Sequence, residues 1–561
     1  MRKANRRLRL LVAVFAVVFF AAFARVAWLQ AVKAQALDRL ADNQHREELD
    51  VKARRGTIFD RLGVQLAFGE PAITVYANPK QITNPRETAI AVGEALELDP
   101  GKLYPLLTDR SRGFVYLARK ADPEKVEALK SQELVGIGFQ PEERRVYPQR
   151  AVASEVVGYA GTENHGLSGI ELQLDGELAG KDGSKTIVRD PFGRTIDVVQ
   201  SDPVQNGRDV YLTIDHTIQN QVERVLRRTK SRWGAQSASA VVLDPRTGGI
   251  LALAVDPGFD ANMYPTVARW GEDRLRNRAI TDTYEPGSTF KVVTVGGVLE
   301  SNIVSPSTKF RLPYELPIAD RIIHDAEPRG TQTMTVSQIL SRSSNVGVVT
   351  LALQLQRARL SQWIRRFGFG RKTGVDYPGE SPGIVLRPDD WSGSTIGNVP
   401  IGQGIAVTPM QMAAAYGAIA NDGVWLQPHL VDRVEGRARA KPKQHRVLSE
   451  RTSRQLTRML RGVVEEGSGM YAHIPGYRVA GKTGTAAKPD SSGGYSDTRY
   501  VASFVGFAPA SRPEAVVLVA VDEPRGAIWG GTVAAPAFAE ITQFVLQYLE
   551  VPPDDRSSAD D

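Results

Sequence analysis

Three short polar motifs follow one another along this chain of 561 residues, and their side chains are of the types that carry out acyl transfer. They are Ser288–Lys291 (Ser-Thr-Phe-Lys), Ser343–Asn345 (Ser-Ser-Asn) and Lys482–Gly484 (Lys-Thr-Gly). Together they supply a hydroxyl nucleophile, amines and hydroxyls that can move its proton, and donors for an anionic substrate. The sequence therefore predicts a serine acyl-transfer site assembled from three separate segments.

Ser288 is the candidate nucleophile. It follows Glu285–Gly287 and precedes the apolar run Val292–Val295, so we expect it in the first turn of a buried helix with Lys291 on the same face. Burial and a neighbouring cation would lower the pKa of Lys291, which could then act as the general base toward Ser288. A lone Ser-x-x-Lys is more often a helix cap beside a surface lysine. The catalytic interpretation of this motif therefore depends on the presence of the other two.

The second motif lies between two stretches of helical pattern and is predicted to be a loop pinched between helices. Taken alone, its serines and asparagine would be explained as a helix N-cap. Beside the other motifs, Ser343 could relay a proton to a leaving amine, and Asn345 could orient Lys291 and contact a substrate amide.

The Lys-Thr-Gly pattern occurs twice, at Lys372–Gly374 and at Lys482–Gly484. The first copy follows a glycine-punctuated stretch and is predicted to be a turn. The second continues a predicted strand, Tyr477–Ala480, and Gly481 and Gly484 leave room for a ligand to lie along the strand edge. We therefore assign the chemistry to the second copy.

Thr485 follows that second copy directly. Lys482, Thr483 and Thr485 are predicted to hold a substrate carboxylate beside the open backbone of Gly484. The N–H groups of Ser288 and Thr485 are predicted to form an oxyanion hole.

Other catalytic patterns fail on composition or mechanism. Gly379–Gly383 matches the Gly-x-Ser-x-Gly nucleophile elbow, but Pro382 lacks the N–H that the residue after the serine must donate. The chain has no cysteine, which excludes thiol nucleophiles, disulfides and cysteine-based metal sites. Its seven histidines form no His-Glu-x-x-His pattern, so a metalloprotease has no support.

The N-terminus combines positive charge with an apolar segment. Five basic residues carry most of the formal net charge of +7: Arg2, Lys3, Arg6, Arg7 and Arg9. Because the basicity is local, it gives no support for a nucleic-acid partner. Leu10–Ala24 is apolar and, continued through a snorkelling Arg25 to Leu29, is long enough to cross a bilayer as a helix. The charge then predicts a cytoplasmic N-terminus and an exported body. A cleaved secretory signal ending near Ala22–Ala24 is the alternative, and it also exports the body.

The remaining chain is predicted to form two domains behind the anchor. After a cytoplasmic tail at 1–9 and the anchor at 10–29, residues 30–205 are expected to form a helix or stalk over Ala31–Arg54 and then a mixed α/β domain. A composition shift near Asp202–Gly207 marks the boundary to a catalytic domain at 206–549. A polar, acidic, flexible and solvated tail is expected at 550–561.

Strand patterns in the catalytic domain predict a multi-stranded antiparallel sheet closed by terminal helices, with a helix-rich middle. The predicted strands are Ala238–Leu243, Ile250–Val255, Tyr477–Ala480, Tyr500–Phe507 and Ala515–Val521. The predicted helices on either side of this core are Thr217–Lys230 and Ala535–Leu549. The fold class is therefore α+β and multidomain.

With these motifs in place, the chain resembles the class B penicillin-binding proteins, which are membrane-anchored peptidoglycan transpeptidases. Further motifs outside the three catalytic ones match that family: Arg55–Gly63, Arg145–Pro148, Gly166–Glu171, Leu178–Gly180 and Trp529–Gly531. The resemblance runs from the anchor to about residue 549. It implies a non-catalytic pedestal that raises a transpeptidase domain above the membrane.

The resemblance also implies the reaction. Ser288 would attack the carbonyl of the penultimate D-alanine of a peptidoglycan stem peptide and expel the terminal D-alanine, and an amine of a neighbouring stem would take the acyl group. β-Lactams would acylate Ser288 and remain bound. The resemblance implies no metal and no organic cofactor. It implies a role in division rather than elongation, and as partners a multispanning glycosyltransferase of the shape, elongation, division and sporulation family and other wall-synthesis or division proteins.

Four alternatives stay open at this point. A D,D-carboxypeptidase would use the same motifs with water as the acceptor. A class A β-lactamase would need a deacylating glutamate between the second and third motifs, and a bifunctional synthase would need a glycosyltransferase module. A catalytically idle scaffold of a wall-building complex is the fourth.

Overall fold

The computed structural model describes residues 2–32, 46–189, 195–263, 274–490 and 493–555. The chain divides into two compact units. The first consists of Met1–Arg54 and Gly180–Gly207, and the second of Arg55–Ala179 and Arg208–Asp561. These units do not follow the predicted domain bounds, since most of the predicted pedestal belongs with the catalytic domain. The bounds 30–205 and 206–549 therefore stay predictions.

The first unit contains the N-terminal helix and a small sheet. The helix spans Arg2–Val32 and includes the predicted anchor, and its stretch Asn5–Ala31 is long and apolar enough to cross a membrane. For Ala31–Arg54, predicted as a helix or stalk, the helix is wrong near its end, because Arg46–Val51 is a strand. It pairs antiparallel with Gly183–Arg189, which pairs in turn with Thr195–Asp202. Residues 33–45 of that prediction lie outside the described residues.

The upstream part of the second unit is a mixed α/β layer. Its strands form a six-stranded sheet. They are Ile58–Phe59, Gln65–Ala77, Val115–Ala121, Ile137–Val146, Val210–Leu212 and Val431–Val434. Its helices are Pro85–Leu96, Pro100–Thr108, Pro123–Lys130, Ser154–Val157, Gly169–Gln173 and Asp175–Leu178.

The catalytic part is built on five long antiparallel strands. They are β1 Ser237–Leu243, β2 Ile250–Asp256, β3 Ala480–Pro489, β4 Tyr495–Ala508 and β5 Ala515–Asp522. Their spatial order is β2-β1-β5-β4-β3, so the strand that carries the second Lys-Thr-Gly is the last of the sheet. β1 and β2 form an antiparallel hairpin, and the predicted antiparallel sheet is confirmed.

Seven helices cover this sheet or form the middle of the domain. They are α1 His216–Trp233, α2 Lys291–Glu300, α3 Val336–Ser341, α4 Asn345–Leu355, α5 Pro409–Ala420, α6 Glu450–Glu465 and α7 Ala535–Tyr548. Alternate strand residues point to opposite faces, so the sheet buries two apolar layers. One layer packs on α1 and α7, and the other packs on α2, α4 and α5.

Shorter elements complete the domain. The short helices are Arg278–Thr281, Arg357–Arg366, Thr395–Asn398 and Gly530–Val533. Small two-stranded antiparallel sheets pair Lys309–Leu312 with Gln332–Thr335, Glu315–Ile318 with Arg321–His324, and Val424–Leu426 with Gln444–Arg446.

The prediction of a flexible tail is wrong for its first residues, which are hydrogen-bonded to the domain. The Asp554 carboxylate accepts hydrogen bonds from the N–H of Arg478 at 2.8 Å and from the hydroxyl of Ser511 at 2.6 Å. The Tyr477 hydroxyl donates to the Val551 carbonyl at 2.6 Å. The chain therefore stays bound to the domain through residue 555, because its carboxylate satisfies a backbone donor that would otherwise lack a partner. Residues 556–561 lie outside the described residues.

Candidate active site

Ser288 lies in one turn of 3₁₀ helix, Gly287–Phe290, directly before α2. The prediction of a first helical turn is therefore right in place, although the turn is tighter. Thr289 and Phe290 are buried and anchor it, while Ser288 is partly exposed. Gly287 has a φ of +55°, and a β-carbon there would lie 2.9 Å from the Thr485 carbonyl. Glycine is thus needed for the turn to approach β3.

Lys291 is fully buried, and its amine joins the first motif to the second. The Nζ atom donates to the Ser343 carbonyl at 2.5 Å, to the Ser343 hydroxyl at 3.1 Å and to Asn345 Oδ1 at 2.7 Å. Burial lowers the pKa of Lys291 well below its usual value, the Lys482 charge lowers it further, and the Asp325 carboxylate opposes both. This is the direction that a general base acting at neutral pH requires.

The second motif forms the entry to α4. Ser343 lies in the connection after α3, and Ser344 is the helix N-cap, with its hydroxyl accepting from the N–H of Gly347 at 2.9 Å. Asn345 is the first helical residue, and its side-chain amide donates to the His324 carbonyl at 2.9 Å. The predicted loop and the N-cap interpretation are therefore both correct, for different residues of one motif.

The third motif lies inside β3 rather than after a strand. Lys482 is fully buried, which lowers its pKa to about 7. Its amine donates to the Thr483 hydroxyl at 3.2 Å, and that hydroxyl contacts the Ser468 hydroxyl at 2.9 Å. A β-carbon on Gly484 would lie 2.9 Å from the Pro286 carbonyl, so β3 runs close against the turn that carries Ser288. The Thr485 hydroxyl accepts from the N–H of Gly530 at 3.0 Å.

The structure thus brings the predicted site residues together around one site. The Lys291 amine holds the second motif directly, and the strand with the third motif packs on the turn with the nucleophile. The residues that meet there are Ser288, Lys291, Ser343, Asn345, Lys482, Thr483, Gly484 and Thr485.

The first Lys-Thr-Gly copy and the Gly-x-Ser-x-Gly segment contact each other. Lys372–Gly374 is an irregular turn, as predicted, and not part of a strand. The buried Glu380 carboxylate, from the Gly-x-Ser-x-Gly segment, accepts from the N–H and the hydroxyl of Thr373 and from the N–H of Gly374. Both patterns are accounted for by this structural contact.

Sequence reasoning missed several groups beside the site. Asp325 and Arg329 support the second motif, and Glu285 lies three residues before the nucleophile. The Glu285 carboxylate accepts from the N–H of Gly404 at 2.9 Å and from the Tyr495 hydroxyl at 3.0 Å, and burial raises its pKa. None of these positions belongs to a periodic or spaced pattern that could have identified it.

One group in the described part of the chain has the residue types of a metal site. Ligand atoms of Asp60, Asp215 and His216 lie within 4.8 Å of one another, away from the three motifs. Arg61 Nε already lies 3.4 Å from Asp215 Oδ2, and the His216 ring contacts Asp60 at 2.7 Å. The group is thus accounted for as an ion-pair network.

Comparison with protein families matches two segments of the chain. Residues 238–543 match the penicillin binding protein transpeptidase domain, and residues 50–212 match the penicillin-binding protein dimerisation domain. The chain belongs to the class B penicillin-binding proteins. The predicted resemblance is confirmed, and the protein is a peptidoglycan D,D-transpeptidase with a penicillin-binding transpeptidase domain.

Individual relatives span nearly the whole of this penicillin-binding protein. Stage V sporulation protein D of Bacillus subtilis is 34% identical, covering 98% of this chain and 86% of its own. Penicillin-binding protein PbpB of Mycobacterium tuberculosis is 35% identical, covering 96% and 84%. Peptidoglycan D,D-transpeptidase FtsI of Escherichia coli is 32% identical, covering 96% and 90%.

Solved structures show the same architecture. Penicillin binding protein 3 of Mycobacterium tuberculosis, in complex with aztreonam, has a TM-score of 0.72 at 32% identity and covers 90% of this chain and 98% of its own. A peptidoglycan synthetase of Bifidobacterium adolescentis has a TM-score of 0.75 at 28% identity and covers 91% and 98%. The predicted α+β multidomain fold is therefore confirmed.

Proposed function

We propose that Ser288 is the nucleophile of this transpeptidase and that Lys291 is its general base. The observation that carries the proposal is the Lys291 amine, which is buried beside a second lysine and hydrogen-bonded to Ser343 and Asn345. Burial and the neighbouring cation lower the pKa of Lys291, which favours the unprotonated amine that can take the proton of a hydroxyl three residues away.

The acylation step then follows. Ser288 Oγ attacks the carbonyl carbon of the penultimate D-alanine and gives its proton to Lys291. The N–H groups of Ser288 and Thr485 stabilise the oxyanion. The C–N bond breaks, the proton passes through Ser343 to the leaving nitrogen, and free D-alanine departs from the ester on Ser288. An amine of a second stem peptide reverses the proton path and takes the acyl group.

The third motif is proposed to orient the substrate. Lys482, Thr483 and Thr485 are proposed to bind the terminal carboxylate of the stem peptide. Because β3 is the last strand of its sheet, the extended peptide is proposed to add alongside it. A β-lactam carries a similar carboxylate beside a strained amide, so it is proposed to acylate the same hydroxyl.

We infer a role in septal wall synthesis, with a single-pass membrane anchor and a cytoplasmic N-terminus. The relatives named FtsI and PbpB and the cluster of basic residues before the apolar helix support this inference. A multispanning glycosyltransferase that polymerises the glycan is the proposed partner. Its test is co-purification from membranes with the full chain but not with a chain whose N-terminal helix is exchanged for an unrelated one.

The experiment for Ser288 is labelling of the detergent-solubilised full chain with a fluorescent penicillin. We expect Ser288→Ala to abolish labelling and Ser381→Ala, in the rival motif, to retain it. Labelling that survives Ser288→Ala would refute the assignment of the nucleophile.

The acceptor is tested separately, because a carboxypeptidase would show the same labelling. A donor stem peptide is incubated with an amine acceptor, and the products are identified by mass spectrometry. We expect a cross-linked adduct. Donor shortened by one residue as the only product would favour hydrolysis, and no turnover by a labelled protein would favour a scaffold.

A further inference from the structure

The backbone of the second motif is held in a conformation that its own residues do not favour. Ser343 has a φ of +61°, in the left-handed region, where a residue with a side chain costs about 1–2 kcal/mol. The carbonyl of this same residue receives the 2.5 Å hydrogen bond from Lys291. Neighbouring groups must therefore supply the interactions that keep the motif against the amine.

Asp325 supplies them. The side chain is buried, and its Oδ1 atom accepts from the N–H of Asn345 at 2.6 Å and from the N–H of Val346 at 3.0 Å. The Ser344 hydroxyl lies 3.0 Å from both carboxylate oxygens. One carboxylate thus binds the first turn of α4 at three successive residues, and negative charge is favoured at a helix N-terminus.

Arg329 fixes that carboxylate. Its Nε and Nη2 atoms both donate to Asp325 Oδ2, at 2.8 and 2.5 Å, so two charge-assisted hydrogen bonds meet at one oxygen. The same guanidinium donates to the carbonyls of Leu312 and Pro313 at 3.0 and 3.1 Å. Arg329 therefore connects Asp325 to the end of the strand Lys309–Leu312, which precedes α3. These contacts lie outside α4, the helix that Asp325 supports.

The charge of Asp325 also reaches the catalytic amine. Lys291 is influenced by two charged groups of opposite sign, Lys482 on β3 and Asp325 on the loop between the strands Arg321–His324 and Gln332–Thr335. The side chain paired with Asp325 is Arg329, and the ring of His324 contacts the backbone carbonyl of Asp325 at 2.9 Å.

We propose that Asp325, held by Arg329, is a positioning residue of the transpeptidase site: it fixes Ser343 and Asn345 against the Lys291 amine and provides the negative charge that balances Lys482. The proposal rests on the proposed function, in which Lys291 is the base. In this proposal the Asp325 carboxylate contacts no substrate atom. Its charge instead influences the proton affinity of Lys291, which takes the proton of Ser288.

Asp325→Asn tests the charge apart from the cap. The amide oxygen can still accept from the N–H groups of Asn345 and Val346, but the negative charge is lost. Removing it lowers the pKa of Lys291, so the acid limb of the pH profile for acylation by a fluorescent penicillin should move to lower pH by about 0.5–1 unit. Asp325→Ala, which also removes the cap, should in addition reduce the plateau rate at least ~10-fold.

Arg329→Gln should move the acid limb the other way, to higher pH, because a positive charge is removed while the carboxylate remains. Asp376→Asn is the control for loss of a buried carboxylate charge away from the site, and it should leave the limb in place; the Asp376 oxygens each accept one backbone N–H, from Leu430 and Val431. Thermal unfolding of each variant accompanies the rates.

The proposal is overturned if folded, labelled Asp325→Asn keeps the wild-type limb, or if the Asp325 and Arg329 variants shift it in the same direction. If Asp325→Asn does not fold, Arg329→Gln decides alone, and an unmoved or lowered limb overturns the proposal. Failure of the proposed function gives a different result, because the Ser288→Ala variant would then still be labelled by the fluorescent penicillin.

Discussion

Two buried lysines share one site, and the charge of one affects the other. Lys291 and Lys482 are both fully buried, and the charge of Lys482 is one of the causes that lower the pKa of Lys291. With a pKa of about 7, Lys482 is itself half protonated at neutral pH. The site therefore contains a base whose proton affinity depends on a second group that titrates in the working range.

Lys482→Met should move the acid limb of the acylation profile to higher pH. Acylation needs unprotonated Lys291, so the rate falls as the pH drops through its pKa, and removing the neighbouring cation raises that pKa. The measurement is the acylation rate with a fluorescent penicillin from pH 5 to 9, and Lys102→Met, at an exposed lysine, is the control. A limb that moves to lower pH would contradict the coupling of the two amines.

The same substitution should stabilise the protein. A lysine with a pKa of 10.5 in the unfolded chain and about 7 in the fold binds its proton more tightly when unfolded. The destabilisation is complete below pH 7 and disappears toward pH 10.5, so wild-type stability should rise with pH across this interval. Lys482→Met should add on the order of 3 kcal/mol to the free energy of unfolding at pH 7 and flatten that dependence. Denaturant titration at several pH values measures both effects.

At the scale of elements, the site depends on close backbone contacts around β3. A β-carbon on Gly530 would lie 2.2 Å from the Gly484 carbonyl and 2.3 Å from the Ser503 carbonyl. Neither atom belongs to a flexible side chain, so the segment before α7 can approach β3 only with glycine at this position.

Gly530→Ala should therefore displace β3 or its neighbour and reduce acylation at least ~10-fold, since small shifts of the reacting groups are costly. The N–H that Gly530 donates to the Thr485 hydroxyl would be displaced with them. Gly113→Ala, where a β-carbon meets no atom within 4 Å, is the control. Penicillin acylation rates and unfolding temperatures measure the effect, and an unchanged rate would show that the contact has no catalytic importance.

The elements that sequence predicted well are those with continuous apolar, β-rich runs, because both faces of their sheet are buried. Such runs identified β1, β2, β4 and β5, and motif spacing identified the turn before α2. Asp325 could not be predicted, because its partners lie about twenty residues away across a reversal that no period marks. The strand Arg46–Val51 was missed because its charged residues suggest a helix and only its pairing with Gly183–Arg189 makes it a strand.

At the scale of the whole molecule, two buried carboxyl groups join the upstream layer to the catalytic part within the second unit. Glu155 is 2% exposed, and Glu223 of α1 is 7% exposed and accepts from the N–H of Ala153 at 2.8 Å. Burial, followed by the charge of Glu223, raises the pKa of Glu155 well above its usual value, and burial raises the pKa of Glu223 to about 7. The junction is therefore most stable when it carries protons.

Glu223→Gln should make the protein more stable at pH 7.5 and reduce its sensitivity to pH. A carboxyl group whose pKa is raised by folding binds its proton more tightly in the fold, so wild-type stability should fall as the pH rises from 4.5 to about 7. Gln keeps the acceptor for Ala153 without the charge, and a gain of ~1–3 kcal/mol is expected. Thermal unfolding from pH 5 to 8 measures it, with exposed Glu127→Gln as the control. A wild-type stability that rises over this interval would refute the assignment.

The binding of Asp554 to Arg478 and Ser511 has a practical consequence for imaging and purification. A fluorescent reporter or affinity tag fused after residue 549 would remove this carboxylate. The segment before β3 would then lose its hydrogen bonds to Asp554. The same fusion placed after residue 555 keeps these hydrogen bonds and puts the added sequence after the described residues. Choosing the later junction should separate the effect of the tag itself from damage to the strand that receives the substrate.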